Sequence, residues 1–180
     1  MIAKKIFIIV GLLTMMIAGY SQSSIEWEKR YGGNAMEIAK CFCPLPDGGF
    51  LLAGSSASIC SGAKSECLRG KLDFWLVKLN EKGSKEWDKT IGGNSDDVLK
   101  CITETHDGNF MIGGCTCSAP SANRKSKVMG NYDYWVVCLS PTGEILWERT
   151  YGEDTDDKLL SIQSIGDGGY VLTGNSSIIN

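Results

Sequence analysis

The sequence predicts an all-β protein made of repeated four-stranded antiparallel sheets, and three observations lead to this fold class. Segments 73–92 and 133–152 lie sixty residues apart and are identical at eight of twenty positions. Both contain runs of Val, Leu, Trp, Tyr and Phe of the kind that favours β-strands. The chain also has 22 glycines and only four prolines, which indicates many tight turns between strands.

The sixty-residue period extends over most of the chain, and a fixed period is the signature of a repeat architecture. Duplication of one structural unit explains it most simply. The residues that recur at this step are Trp27, Trp87 and Trp147; Gly32, Gly92 and Gly152; Gly54, Gly114 and Gly174; and the Asp-Gly pairs that begin at Asp47, Asp107 and Asp167.

One unit shows how four strands are arranged. The pair Asp107-Gly108 predicts a two-residue hairpin turn, and "SPTG" predicts a second turn with Pro and Gly at favoured positions. A long polar loop separates the two hairpins. The predicted strands of this unit are "DDVLKCITET" (96–105), "NFMIGGCTC" (109–117), "YDYWVVCL" (132–139) and "EILWERTYG" (144–152).

The third strand of the unit is apolar on both faces. Trp135, Val137 and Leu139 point to one side, and Tyr134, Val136 and Cys138 point to the other. A sheet with one face in water would alternate more cleanly, so we expect each sheet to be covered on both sides by its neighbours. Stacked four-stranded sheets are the blades of a β-propeller. A linear β-solenoid is the alternative, although its coils are usually shorter.

The domain boundaries follow from the period. Within a repeat region at 22–180, we predict a lone strand at 25–31, blade one at 37–91, blade two at 97–151 and a partial blade three at 157–176. Propellers close with about four to eight blades, so this one is expected to be incomplete and open. The chain is a truncated piece, an arc that assembles with other copies, or an open arc by itself. Truncation is favoured, because the sequence stops where the next "DYW" is due.

The N-terminus predicts a cleaved signal peptide at residues 1–21. Lys4 and Lys5 precede the apolar run "IFIIVGLLTMMIAG", and the small residues Gly19 and Ser21 precede the expected cleavage point. A retained membrane anchor is the alternative, but the run is short for a spanning helix. We therefore expect a secreted, cell-surface or periplasmic protein with no membrane span in the mature chain. With residues 1–21 removed, 16 basic residues face 21 acidic ones, which argues against nucleic-acid binding.

Eight cysteines in an exported chain predict disulfides. Cys60 and Cys67 share the loop "CSGAKSEC", where a bridge would brace a long insertion, and we predict that they pair. Two C-x-C pairs, at Cys41 and Cys115, are interpreted as packed thiols or as disulfides to other strands, since zinc sites more often use C-x₂-C. The pairing of the other six cysteines stays open.

The sequence motifs of the repeat also resemble those of a known family. "DGGYVLTGNSS", "DYWVVCLSPTGEILWERTYGE" and "SDDVLKCITETHDGNFMIGG" resemble the exported β-propeller-type repeat proteins of bacteria with a type IX secretion system. The resemblance covers residues 25–176 and implies a secreted or cell-surface repeat protein, without implying a reaction. The sequence differs from the pattern of that family in two ways: residues 1–180 include no segment like its usual C-terminal sorting domain, and Cys138 stands where the preceding unit has Lys78.

Few residues suggest catalysis or metal binding. His106, the single histidine, falls on a predicted hairpin turn with no nucleophile that could be drawn beside it. The acidic turns "GGNSDD" and "GEDTDD" are weak calcium candidates without a calcium-loop spacing. We therefore predict no catalytic residue, no metal and no cofactor. The recurring tryptophans are interpreted as core residues, with sugar-stacking platforms as the alternative.

The long loops carry the candidate binding residues. In a propeller they would emerge on one rim, and binding residues collect on such loops. An anionic surface glycan or a protein is the expected partner, and a loop that is merely solvated by its charges is the alternative. The candidates are Lys64, Arg69 and Lys71 in the first unit and Arg124, Lys125 and Lys127 in the second.

The sequence thus predicts a non-catalytic exported repeat scaffold or binding module. One alternative is a fragment of a propeller enzyme acting on polysaccharides, which would need carboxylates, His or Tyr converging on one channel. The other is a self-assembling structural element in which open blade edges join copies of the chain.

Overall fold

A computed structural model describes residue 25, residues 27–166 and residues 168–177. The predicted signal peptide lies outside these residues. The chain divides into two compact units, residues 1–30 and 31–180, and all ten strands belong to the second. The described residues contain no helix, and accordingly none that could cross a bilayer.

The ten strands form three antiparallel sheets, in each of which neighbours in the chain are neighbours in the sheet. The sheets do not close on themselves, so the predicted fold class, an all-β open array of propeller-like blades, is confirmed. The first sheet is β1 (Glu37–Pro44), β2 (Phe50–Ser56), β3 (Asp73–Leu79) and β4 (Lys85–Ile91). The second is β5 (Asp97–Glu104), β6 (Phe110–Thr116), β7 (Asp133–Leu139) and β8 (Ile145–Tyr151). The third is β9 (Asp157–Ser164) and β10 (Tyr170–Ser176).

The two complete sheets have the same register. Gly54 lies opposite Trp75 in the first sheet, and Gly114 lies opposite Trp135 in the second. Both sheets also have an irregularity between the third and fourth strands, before Leu79 and before Leu139. The sixty-residue repeat of the sequence is therefore a repeat of the fold.

The lone strand predicted at residues 25–31 is not formed in the described part of that segment, since Ile25 and residues 27–31 carry no strand. Its counterparts in the repeat are β4 and β8, and each pairs with the third strand of its own sheet. Among the described residues no such third strand precedes residue 25.

The hairpin turns differ from the predicted two-residue type. In the first, Gly48 N–H donates to the Leu45 carbonyl at 3.0 Å, and Leu45 N–H donates to the Gly49 carbonyl at 2.9 Å. This pattern is a three-residue loop whose last residue, Gly48, has a φ of 82°. A two-residue type I′ turn would also require a positive φ at Asp47, whereas the three-residue loop needs it only at glycine.

The core lies between the sheets. Phe74 and Leu76 of β3 pack with Leu99, Trp135 and Val137 of the second sheet. On the other side, a second cluster joins the second sheet to the third and consists of Cys101, Met111, Val136, Cys138, Leu159 and Ile162. Strand β7 thus buries both faces, which is why its sequence is apolar throughout.

The disulfide predicted between Cys60 and Cys67 is formed, with an S–S distance of 2.02 Å. The other six cysteines are free thiols. Burial raises the pKa of Cys41 to about 11 and that of Cys101 to about 12. These two thiols are therefore protonated at neutral pH and act as packing groups.

Candidate functional site

The long loops between the second and third strands have the same backbone frame in both complete sheets. The first loop connects Ser56 to Asp73, and the second connects Thr116 to Asp133. At matched positions Gly62 has a φ of 59° and Ala122 a φ of 49°. A left-handed backbone conformation is uncommon for a residue other than glycine. The rest of the loop therefore holds Ala122 in this conformation.

A buried cation lies at the centre of the first loop. Lys64 is 2% exposed, and its Nζ donates to Ser56 Oγ at 3.3 Å. Burial lowers the pKa of Lys64, while the carboxylates of Asp73, Glu37 and others nearby act in the opposite direction. The ammonium group thus serves as an internal counter-ion.

Arg124 occupies the matching place in the second loop and is 1% exposed. Its Nη1 donates to the Ser126 carbonyl at 2.5 Å, and its Nη2 donates to Thr150 Oγ1 at 2.9 Å. Burial lowers the pKa of Arg124, opposed by the carboxylates of Asp97, Glu148 and Asp133. These three acids stand sixty residues after Glu37, Asp88 and Asp73, so the charge cluster is repeated as a whole.

In each complete sheet, one carboxylate on the fourth strand accepts hydrogen bonds from the long loop and so anchors it. Asp88 accepts from Ser65 N–H at 2.9 Å and from the indole N–H of Trp75 at 3.1 Å. Burial by itself would raise the pKa of Asp88, but hydrogen bonds from Lys85, Ser65 and Trp75 outweigh it and the pKa is lowered. The carboxylate is therefore ionised and fully engaged with the protein.

Glu148 does the same in the second sheet. It accepts from Ser126 N–H at 2.9 Å, from Lys125 N–H at 3.0 Å and from the Trp135 indole at 2.7 Å. Burial opposes ionisation, but these bonds lower the pKa of Glu148. Trp75 and Trp135, both buried, are thus core residues rather than platforms for a sugar.

Two buried carboxylates meet between the first and second sheets. Asp73 and Asp97 are both 0% exposed. A Cβ on Gly92 would lie 2.2 Å from Asp73 Oδ1, so only glycine fits beside it. Burial raises the pKa of Asp73 to about 6, with a further contribution from the charge of Asp97, although Arg69 N–H opposes it by donating at 2.6 Å.

This pair predicts a pH dependence of stability. Folded Asp73 binds a proton more tightly than unfolded Asp73. Its favourable contribution to the free energy of unfolding is therefore complete below about pH 4 and is lost as the pH rises through 6. Asp73→Asn cannot ionise. Between pH 4 and pH 7 the free energy of unfolding should therefore fall more steeply in the wild type than in the variant, by up to about 3 kcal/mol. Urea unfolding at several pH values measures this difference, and parallel profiles would contradict it.

The six candidate binding residues separate into two groups. The expectation that Lys64 and Arg124 present their charges to a ligand is corrected, because both are buried against the acids that surround them. Arg69, Lys71, Lys125 and Lys127 are exposed. Of these, Arg69 donates to the Thr90 carbonyl at 3.3 Å and forms an ion pair with Glu66 at 3.5 Å.

The two long loops expose different residues. Alternate residues face solvent in each loop from the position after the buried cation onward. These are Ser65, Cys67, Arg69 and Lys71 in the first loop and Lys125, Lys127, Met129 and Asn131 in the second. Each surface therefore has two exposed cations, but the first is braced by the Cys60–Cys67 disulfide and the second carries the apolar side chain of Met129.

The last aspartate of each acidic turn, Asp97 or Asp157, is buried and accepts hydrogen bonds, whereas Glu153 and Asp154 of the second turn are exposed. Asp97 accepts from Gly93 N–H at 2.7 Å and from Ser118 Oγ at 2.9 Å. Asp157 likewise accepts from Glu153 N–H at 2.9 Å. In the described ranges no group of three or more His, Cys, Asp or Glu side chains is arranged to hold a metal ion.

His106 lies on an exposed hairpin turn and lines a shallow cavity of about 350 Å³ between the second and third sheets. The neighbouring Asp107 accepts from Asn109 Nδ2 at 2.8 Å and from the Thr105 hydroxyl, both in the same turn. A smaller cavity of about 180 Å³ includes Lys78 and Glu104. The Lys78 ammonium is paired with Glu86 at 2.9 Å.

The buried charge cluster was missed by sequence reasoning, although a signal for it was present. Lys64 and Arg124 stand sixty residues apart, as do Asp88 and Glu148. Charge of one sign at the same place in both complete repeats is what a structural role in the repeated unit would produce. The exposed residues, by contrast, change between the repeats.

No protein-family model matches this chain, and a search of the curated proteins found no match to it.

Proposed function

We propose that the protein is a non-catalytic exported scaffold that binds an anionic glycan through the exposed residues of its long loops. One observation carries this proposal: an equivalent set of buried charges supports the long loop in both complete sheets, while the exposed side chains of the two loops differ. Binding residues are characteristically found on loops that a rigid scaffold positions. A frame repeated only for stability would not require the exposed residues to diverge.

The second loop is the stronger binding surface of the two. Lys125 and Lys127 are exposed, and the loop sequence contains no acidic residue. The carboxylate of Glu148, which contacts this loop, already accepts from the backbone N–H groups of Lys125 and Ser126 and from the Trp135 indole. The two ammonium groups are therefore free to meet sulfate or carboxylate groups of a polysaccharide.

We also propose that the protein is exported. It is supported by the basic and apolar N-terminal sequence and by the Cys60–Cys67 disulfide, which requires an oxidising compartment to persist. The resemblance of the repeat motifs to exported type IX-associated proteins supports a secreted or cell-surface location.

The test compares two charge-matched double variants for binding to dextran sulfate and to polygalacturonate. Lys125→Gln with Lys127→Gln removes two charges from the loop, whereas Lys40→Gln with Lys82→Gln removes two exposed charges elsewhere. The loop variant should bind about tenfold more weakly, because partly desolvated ion pairs are lost, and the control should bind like the wild type. Equal weakening in both variants, or no binding by the wild type, would contradict the proposal.

A further inference from the structure

We propose that the first long loop, residues 57–72, is a redox-sensitive element that opens when the Cys60–Cys67 disulfide is reduced. In the open loop the side chain of Lys64 reaches solvent. The second long loop, residues 117–132, is described in full and contains no disulfide, so it keeps its conformation under the same conditions. The proposal does not depend on what either loop binds. It rests on a comparison of how the two loops are held in place.

The two loops close their inner turn differently. In the second loop, Ser121 N–H donates to the Arg124 carbonyl at 2.8 Å, and Arg124 N–H donates to the Ser121 carbonyl at 2.9 Å. Of this pair the first loop, as described, has one bond, from Lys64 N–H to the Ser61 carbonyl at 3.0 Å. The disulfide joins cysteines seven residues apart and encloses this turn. The first loop therefore has a covalent bond around a turn that the second loop closes with hydrogen bonds.

The loops also differ in how they are linked to the fourth strand. The Arg124 guanidinium donates to the Ser126 carbonyl at 2.5 Å and to Thr150 Oγ1 at 2.9 Å, and so bridges its loop to β8. In the first sheet the equivalent groups contact each other directly, because Thr90 Oγ1 donates to the Glu66 carbonyl at 3.2 Å. The first loop therefore lies directly against β4, with no guanidinium in between.

Lys64 makes fewer hydrogen bonds than Arg124. It is 2% exposed, and in the described residues its Nζ donates to Ser56 Oγ alone, at 3.3 Å. The carboxylates of Asp73 and Glu37 attract the ammonium group, but burial has removed most of its hydration, which favours its return to water. The disulfide limits the conformations open to the ring of residues 60–67 and so stabilises the closed loop.

The disulfide is accessible to a reductant, since Cys60 and Cys67 are both exposed. A dithiol supplies two electrons and two protons. One of its thiolates attacks a sulfur of the bridge, the S–S bond breaks, and the second thiol resolves the mixed disulfide. The products are two cysteine thiols and the oxidised, cyclic form of the reductant. The other six cysteines are already free thiols, so the reaction changes one bond.

The experiment compares the full mature chain with and without dithiothreitol at neutral pH. Acetylation by an N-hydroxysuccinimide ester, followed by mass spectrometry, should modify Lys64 at least about tenfold faster after reduction, because the ring no longer restricts the open loop. Amide hydrogen exchange should become faster in residues 57–72 and stay unchanged in residues 117–132. The second loop thus serves as an internal control for folding.

Two sets of variants separate the disulfide from other effects of the reagent. Cys60→Ser with Cys67→Ser should behave like the reduced wild type and should not respond to dithiothreitol. Addition of Lys64→Arg to this double variant should slow exchange of the first loop again. Arginine would then bridge the Glu66 carbonyl to Thr90, as Arg124 bridges their counterparts.

Four results would each overturn the proposal: unchanged labelling of Lys64 on reduction, equally faster exchange in both loops, a response of the double serine variant to dithiothreitol, or no slowing of exchange by Lys64→Arg.

Discussion

Replacement of Arg124 by Met is expected to lower the free energy of unfolding by about 3–5 kcal/mol. Arg124 is 1% exposed and faces the carboxylates of Asp97, Asp133 and Glu148. Methionine has a similar length but no charge, so the variant leaves these acids without their buried counter-ion. Urea unfolding at neutral pH, followed by tryptophan fluorescence, measures the loss.

The matched control is Arg124→Lys, because the first sheet itself has Lys64 at this place. Lysine keeps the charge and gives up the hydrogen bonds from the guanidinium to the Ser126 carbonyl and to Thr150. We expect it to cost less than half as much as Met. If both substitutions cost the same, the shape of arginine and not its charge would be what the site requires.

Trp135→Ala should lower the free energy of unfolding by a similar amount, about 3–5 kcal/mol. The side chain is 0% exposed, its ring centroid lies 4.9 Å from that of Phe74, and its indole N–H donates to Glu148 at 2.7 Å. Truncation therefore opens a cavity between two sheets and removes one of the bonds that hold the long loop. Chemical denaturation measures the change in the free energy of unfolding.

Trp147→Ala provides the comparison within the same sheet. Trp147 is 40% exposed, so its truncation should cost less than about 1 kcal/mol. Similar losses for Trp135 and Trp147 would show that the second sheet is not packed between neighbours as described.

Much of the fold could be predicted because its signals are local and repeated. The aromatic and β-branched strand segments and the glycine turns recur every sixty residues, and the two apolar faces of β7 require a neighbour on each side. The disulfide could also be predicted, since Cys60 and Cys67 share one loop. These inferences need only a few residues at a time.

The remaining features depend on contacts that no single segment contains. Lys64 and Arg124 have the sequence surroundings of solvated loop residues, and their burial follows from acids on three other elements. Residues 25–31 have strand propensity, but the structure pairs a fourth strand only where a third strand precedes it. Trp87 and Trp147 are equivalent in sequence and differ because a hairpin covers only the first.

The nearest-neighbour order of strands within each sheet has a consequence for how the chain acquires its structure. Every strand pairs with the one that precedes or follows it, so ladder formation never waits for a distant segment. Pairing between segments close in the chain is fast, because little loop-closure entropy is lost first. During synthesis, each sheet can therefore form as soon as its last strand emerges and can then act as a template for the next.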